Sequence, residues 1–220
     1  MGILYIVATP IGNLEDITLR AINTLRSVDL ILAEDTRVTR KILQHYNIDV
    51  SLESFHQHTT QNKLENIAKK LIDGYKMALV SDAGTPGIHD PGQRLIQYIV
   101  EEGLDIKIVP IPGASAVTAI LSIAGLDTDS FLFLGYPPHK KGRQKFFEEI
   151  KTSKHPVVFF ESVHRIEKAL NSLSEIGREI IVLREATKQF ETIYRGLPEK
   201  VLLDLDNNLR GEFVIIVNNH

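Results

Sequence analysis

The chain has 220 residues, of which 43% are hydrophobic and 24% charged, and its formal net charge is −3. This composition is ordinary for a globular protein and gives no overall attraction to nucleic acid, so such binding would need a local basic surface. The sequence contains no cysteine, which excludes disulfides, thiolate metal sites and cysteine nucleophiles. No apolar run approaches the roughly 18 residues of a spanning helix, and no signal-peptide pattern is present, so we expect a cytoplasmic protein.

Hydrophobic patterning predicts alternating strands and helices in the first 125 residues. Strands are predicted over residues 3–8, 29–33, 51–55, 77–80 and 106–110. Helices follow them and end near residues 27, 46, 73, 102 and 124. Asp16 and Asp90 stand where N-caps are expected, with Pro91 at a first helical position. This alternation predicts a parallel sheet with helices on both faces.

The pattern changes after the polar segment 127–130, which has the composition of a linker. Strands are then predicted over 131–135, 156–160, 179–184, 191–195 and 212–217, and helices over 144–151 and 164–175. Several strands now follow one another without a helix, which indicates a mixed sheet. We therefore predict an α/β protein with an N-terminal domain over residues 1–126 and a C-terminal domain over residues 127–220.

Three loops rich in glycine and proline follow predicted strands, at residues 9–13, 81–92 and 112–116. Ligands bind at the carboxyl ends of strands in open parallel sheets, and such loops let a ligand approach the backbone closely. The first loop lacks the G-x-G-x-x-G pattern, which argues against NAD or FAD. The alternatives are tight connections without a ligand and, at 112–116, small residues required by helix–sheet packing.

Charged side chains gather in two other places. Glu34, Asp35, Arg37 and Arg40 follow the second strand, and the segment 136–143 (YPPHKKGR), called the basic loop below, follows a strand of the second half. A capped helix start would explain the acids, but cations are unfavourable there, which favours a substrate-binding role. A solvated surface loop is the alternative for the basic loop. The pair His56 and His58 has no evident third ligand, so we predict no metal site.

Five segments carry a resemblance that spans essentially the whole chain. They are ATPIGNL at 8–14, AEDTR at 33–37, SDAGTPGIHDPG at 81–92, PGASA at 112–116 and FESVHR at 160–165. In this order they resemble the ribosomal RNA small subunit methyltransferase I family, a branch of the tetrapyrrole methylase superfamily. The resemblance implies a two-domain α/β fold with S-adenosylmethionine between the domains, usually a homodimer. It also implies 2′-O-methylation of a cytidine in small-subunit ribosomal RNA, without a membrane or a metal.

The family's functional positions carry over to this sequence by motif. The residues implied in cofactor binding are Pro10, Ile11, Asp82, Ala83, Gly84, Thr85, Pro86, Gly87, Ile88, Gly113, Ser115, Ala116, Phe160, Glu161 and Gly211. Those implied in substrate binding are Arg40, Lys140, Arg143 and Arg165. Glu34 and Asp35 are both candidates for the base that removes the hydroxyl proton, and the charge of Arg37 or of a lysine would lower the pKa of that hydroxyl.

Two other functions are compatible with these motifs. The first is methylation of a tetrapyrrole, although the Thr-Pro-Ile-Gly-Asn loop lacks the glycine-rich form of that branch and the basic residues suit phosphate better. The second is a ribosome-binding module that has kept the fold without catalysis. Label from the cofactor appearing in ribose would distinguish the predicted enzyme from both.

Overall fold

A computed structural model describes residues 2–88, 92–205 and 210–219. The chain forms two compact units, Met1–Ser115 and Ala116–His220. The predicted boundary followed residue 126, within the second unit. The difference arises because the helix after Ser115 packs Val117 and Ile120 against the sheet of the second unit, and Ala124, just beyond the helix, joins the same cluster.

The first unit is built on a parallel sheet. Its strands are β1 Ile3–Val7, β2 Leu30–Ala33, β3 Leu52–Ser54, β4 Lys76–Val80 and β5 Lys107–Ile111. Its α-helices are α1 Leu19–Ser27, α2 Thr36–His45, α3 Gln61–Ile72 and α4 Gln93–Glu101. The strand order is β3-β2-β4-β1-β5, and every pairing in it is parallel. The predicted parallel sheet is therefore confirmed.

The helices cover both faces of this sheet, as the sequence predicts. Apolar side chains of α1 and α2 pack on one face, and those of α3 and α4 pack on the other. The connection after β1 runs towards β2, whereas the connection after β4 runs towards β5 on the opposite side. The neighbouring strands β1 and β4 thus form a topological switch point, where a crevice opens at the carboxyl edge of a doubly wound sheet.

Helix caps differ from prediction at one position. Asp16 belongs to a short 3-10 turn, Leu14–Asp16, and helix α1 is capped by Thr18, whose hydroxyl accepts a hydrogen bond from the amide of Ala21 at 3.0 Å. The prediction that Asp16 caps this helix was wrong. Asp16 and Thr18 are both capping residue types, but only Thr18 directly precedes the first residue of α1. The predictions for Asp90 and Pro91 lie outside the described residues; helix α4 begins at Gln93.

The second unit contains the predicted mixed sheet. Its strands are β6 Leu132–Phe133, β7 Val157–Ser162, β8 Ile180–Arg184, β9 Thr192–Gly196 and β10 Glu212–Val217. Its helices are α5 Ala116–Ser122, α6 Arg143–Thr152, α7 Ile166–Ser174 and α8 Pro198–Leu205. The order is β6-β7-β10-β8-β9, in which only β6 and β7 are parallel. Helix α5 packs on one face and the other three helices on the opposite face. Helix α8 is absent from the prediction, although Pro198 at its first position is a recognised start signal.

Candidate active site

Three of the predicted loops meet at the carboxyl edge of the first sheet. Thr9, just after β1, and Gly84, just after β4, exchange backbone hydrogen bonds of 2.9 and 3.1 Å. The amide of Ala8 donates to the carbonyl of Ile111 at 3.1 Å, which joins the β1 loop to the end of β5. The hydroxyl of Thr9 also donates to the carbonyl of Ser81 at 3.1 Å. These contacts place the loops side by side at the switch point.

Two glycines are required by this close approach. Gly84 has φ +79°, and a Cβ added there would lie 3.3 Å from Cγ2 of Ile11 and 3.5 Å from the carbonyl oxygen of Ala114. At Gly113 an added Cβ would lie 2.9 Å from Cβ of Ala8, closer than side chains approach each other. The two glycines therefore let the loops approach each other more closely than residues with side chains would allow.

Asp82 is the acidic side chain of the central loop. It is half-buried at the end of β4, and its Oδ1 accepts a hydrogen bond of 2.9 Å from the amide of Asp35. Burial raises the pKa of Asp82, and the nearby carboxylate of Asp35 acts in the same direction. The bond fixes the β4 loop to the β2 loop. Backbone groups beside a carboxylate suit a ligand that carries an ammonium group and hydroxyls.

Asp35 and Arg37 form a closed pair at the start of α2. The carboxylate of Asp35 caps the helix by accepting from the amide of Arg37 at 2.8 Å, and it pairs with the Arg37 guanidinium at 2.6 Å. These hydrogen bonds lower the pKa of Asp35 to about 2. The same pairing raises the pKa of Arg37. Glu34 precedes them, half-buried, immediately after the last residue of β2.

The remaining cofactor residues predicted in the first unit line the same edge. Pro10, Gly84 and Pro86 are buried, whereas Ala83, Ile88 and Gly113 are exposed. Ile11, Thr85, Gly87 and Ser115 are partly exposed. The carbonyl of Gly87 accepts a 2.6 Å hydrogen bond from the side-chain amide of Gln93, which ties the far end of the loop to α4. The apolar side chain of Ile88 is exposed to solvent in this loop.

The other predicted cofactor residues belong to the second unit. Ala116 opens α5, and Phe160 near the end of β7 packs edge-on to Phe133, with ring centroids 5.1 Å apart. Gly211 has φ +109°, and a Cβ there would lie 2.5 Å from Cγ of Glu185. The sequence analysis did not single out Tyr136, whose ring lies 5.3 Å from that of Phe160. The signal in the sequence that could have drawn attention to it is an aromatic residue directly before two prolines.

The last predicted cofactor residue, Glu161, is buried at 1% exposure and is contacted by Arg143 and Arg165.

The predicted substrate residues differ in their exposure. Arg40 and Lys140 are exposed, whereas Arg143 is only 8% exposed. The guanidinium of Arg143 lies 4.9 Å from the centre of the Phe147 ring. Burial of Arg143 argues against direct contact with a phosphate and for a role inside the cluster.

The two neighbouring histidines lie in the loop after β3. The rings of His56 and His58 lie 6.1 Å apart. In the part of the chain that the structure describes, no three His, Cys, Asp or Glu side chains are grouped to bind a metal ion. None of the helices described here has both the length and the apolar character needed to cross a bilayer.

The comparison with protein families gives the class of protein. The family described as Tetrapyrrole (Corrin/Porphyrin) Methylases matches residues 3–201. The chain belongs to this family, and it is therefore an S-adenosylmethionine-dependent methyltransferase. The carboxyl edge fits that cofactor, because Asp82 offers a half-buried carboxylate to a cationic ligand and the loops expose Ala83 and Gly113 beside it.

Individual relatives give a narrower comparison. The chain is 44% identical to the ribosomal RNA small subunit methyltransferase I of Halalkalibacterium halodurans, over 100% of this chain and 76% of the relative. It is 40% identical to the protein of the same name from Thermotoga maritima, over 99% of both chains. The relative so named from Bacillus subtilis is 42% identical, over 99% of this chain and 75% of its own length.

Solved structures with much lower identity share the fold. The methyltransferase CobJ superimposes with a TM-score of 0.72 at 18% identity, over 100% of this chain and 95% of that one. The cobalt precorrin-4 methyltransferase CbiF gives a TM-score of 0.73 at 17% identity, over 98% of this chain and 94% of its own. Both likenesses concern the fold alone.

Proposed function

We propose that the protein methylates the 2′-oxygen of a cytidine ribose in small-subunit ribosomal RNA. The observation that carries the proposal is the meeting of the β1, β4 and β5 loops at the switch point, with the charged β2 loop bonded to them through Asp82 and the amide of Asp35. The names and identities of the relatives support ribosomal RNA as the substrate. With ribosomal RNA as the substrate, we also propose a cytoplasmic location, and by resemblance a homodimer, which light scattering would test.

In this proposal the loops of the first unit hold the cofactor. The residues that would form its site are Pro10, Ile11, Asp82–Ile88, Gly113 and Ser115. When bound, S-adenosylmethionine supplies a methyl group on a sulfonium, which is already a good leaving group. The protein's task is then to align the ribose oxygen, to exclude water and to remove the hydroxyl proton. The hydrogen bonds among the loops make this edge rigid before any ligand arrives.

Of the two candidate bases we propose Glu34. Asp35 is held by the amide and guanidinium of Arg37, and a carboxylate with a pKa of about 2 is a weak base. Asp35 instead caps α2 and fixes Arg37, whose exposed guanidinium is available to a phosphate or to the ribose hydroxyl. Glu34 lies one residue closer to the end of β2, beside the amide by which Asp35 bonds to Asp82.

The test is methyl transfer from labelled cofactor to unmodified small subunits. We expect E34Q to lower kcat by about 10²–10⁴-fold, the usual contribution of a general base, with little change in cofactor affinity. D35N is the comparison variant: asparagine keeps the cap but loses the ion pair with Arg37, so we expect a smaller loss of kcat than in E34Q. Full turnover by E34Q would remove Glu34 as the base, and label in a tetrapyrrole but in no subunit would overturn the proposed substrate.

A further inference from the structure

The second unit contains a buried ion cluster that catalysis as proposed above does not use. Glu161, near the end of β7, is almost fully buried, and its Oε1 accepts a 2.8 Å hydrogen bond from the amide of Ser162. The Nε of Arg165 lies 3.1 Å from that same oxygen, and Nη1 of Arg143 lies 3.6 Å from Oε2. One buried carboxylate thus faces two guanidinium groups. Such a cluster is costly to desolvate, and removing one partner would leave a buried charge uncompensated.

Arg165 connects this carboxylate to the basic loop. Its Nε faces Glu161 and also donates to the hydroxyl of Ser162 at 3.2 Å. Its Nη1 donates to the carbonyl of Pro137 at 2.8 Å, in the loop itself. A guanidinium makes both contacts at once because its nitrogens diverge in a fixed plane. The beginning of the basic loop is therefore tied to the buried end of β7.

The other end of the basic loop is anchored on the same carboxylate. Gly142 has φ +90° and turns the chain into α6, whose first residue is Arg143. The guanidinium nitrogens of Arg143 are buried and, within the described residues, make no hydrogen bond; they face Glu161 and the Phe147 ring. Between the two anchors His139, Lys140 and Lys141 are exposed. The loop is held at its ends and presents its cations to solvent.

We infer that Glu161 and Arg165 are positioning residues that hold the basic loop in the form that binds the substrate RNA. This inference rests on the proposed function for its substrate. Lysines attract RNA whether or not their loop is ordered. Lysines held at a fixed spacing also determine which phosphates of the RNA they contact. Arg165 would act through the loop and would not touch the RNA itself, in contrast to the direct substrate contact that the family resemblance implies for it.

The variant R165K separates this role from simple charge or folding. A lysine keeps the positive charge opposite Glu161, so the buried carboxylate stays paired. Its single ammonium group lacks the rigid fork that serves Glu161 and Pro137 together, so the loop loses its anchor. R178K is the matched control: Arg178 donates to the carbonyls of Ile150 at 3.0 Å and Ser153 at 3.3 Å, at the far end of α6.

Two measurements on the full-length chain follow. Trypsin cleavage after Lys140 and Lys141 reports the order of the loop without needing any activity. We expect R165K to raise its rate about tenfold, the effect of losing one charge-assisted hydrogen bond, while R178K leaves it unchanged. With small subunits as substrate, the same variant is expected to raise KM about tenfold with kcat and the KM for cofactor near wild type.

The outcomes separate this inference from the proposed function. Unchanged cleavage in R165K overturns the positioning role whatever the enzyme methylates. Faster cleavage with an unchanged KM for subunits shows that loop order does not serve substrate binding, and also overturns it. Faster cleavage with a raised KM supports it. If even the wild-type protein methylates no RNA, the proposed function fails, and with it the RNA part of this inference, while the cleavage rates still report the anchor.

Discussion

Replacing Gly113 by alanine places a methyl group where the structure has no room for one. The new Cβ would lie 2.9 Å from Cβ of Ala8, whereas carbon atoms pack best at about 3.5–4.0 Å. Overpacking of this kind costs about 1–3 kcal/mol. In a protein of this length each kcal/mol lowers the Tm by about 2–4 °C. We therefore expect G113A to be less stable by about 1–3 kcal/mol and to bind S-adenosylmethionine at least about tenfold more weakly.

A second substitution tests whether this contact is the cause. A8G removes the methyl group that the new side chain meets, at a cost of about 0.5–1 kcal/mol for the added backbone freedom. In A8G/G113A the steric conflict is absent, so the G113A substitution should cost little in that background. Urea unfolding of all four proteins gives the coupling free energy, which we expect to be favourable and about 1–3 kcal/mol. Titration calorimetry should show cofactor binding recovering in the double variant. If the two substitutions simply add, the steric explanation for Gly113 is wrong.

Two further predictions concern the carboxylates. Because burial raises the pKa of Asp82, its ionised form destabilises the folded state increasingly as the pH rises above the ordinary value of 3.8. D82N should therefore raise the Tm of the free protein at pH 7 while abolishing the Tm increase caused by the cofactor; a lower Tm would contradict the burial argument. For Asp35 the sign is opposite: its folded pKa of about 2 makes the ionised pair stabilising above pH 4. The stability difference between wild type and D35N should shrink as the pH falls from 5 to 2, and a constant difference would show that the ion pair contributes nothing.

The fold of the first unit could be predicted because its central strands are continuous apolar runs. Strand β4, for example, is buried on both faces, and such runs are typical of a parallel sheet covered by helices. The loops at their carboxyl ends could be located for the same reason, since parallel strands end at one edge. Sequence spacing does not give the distance between Ala8 and Gly113, which depends on how closely β1 and β5 pair.

The second unit shows where sequence reasoning stops. Arg143 stands in a run of basic residues and has the sequence pattern of a surface cation, yet it is buried against Glu161 and Phe147. Glu161 belongs to β7, and it lies next to the basic loop only because β7 packs there. Similarly, helix α5 follows a loop of the first unit in sequence but packs on the second sheet, because its apolar side chains fit there. The burial of Arg143 and the position of α5 both depend on contacts between residues far apart in the sequence, which the local sequence pattern does not show.

The base could not be chosen from sequence because Glu34 and Asp35 are adjacent and chemically alike. The structure shows that one neighbour, Arg37, holds Asp35, and this contact is the ground on which Glu34 is proposed. Arg37 bonds to the carboxylate of Asp35 by both its backbone amide and its guanidinium, and this lowers the basicity of Asp35. The distinction rests on hydrogen-bond geometry, which two consecutive acids in a sequence do not encode.

Methylation at the 2′-oxygen is tested by alkaline hydrolysis of small-subunit RNA labelled by the protein. Alkali cleaves RNA through attack by the free 2′-hydroxyl, so a ribose methylated at that oxygen leaves an uncut dinucleotide. We expect label in alkali-stable dinucleotides whose first nucleoside is cytidine, and loss of that label in E34Q. Label released in mononucleotides would mean methylation of a base, and it would contradict the proposed reaction at the 2′-oxygen.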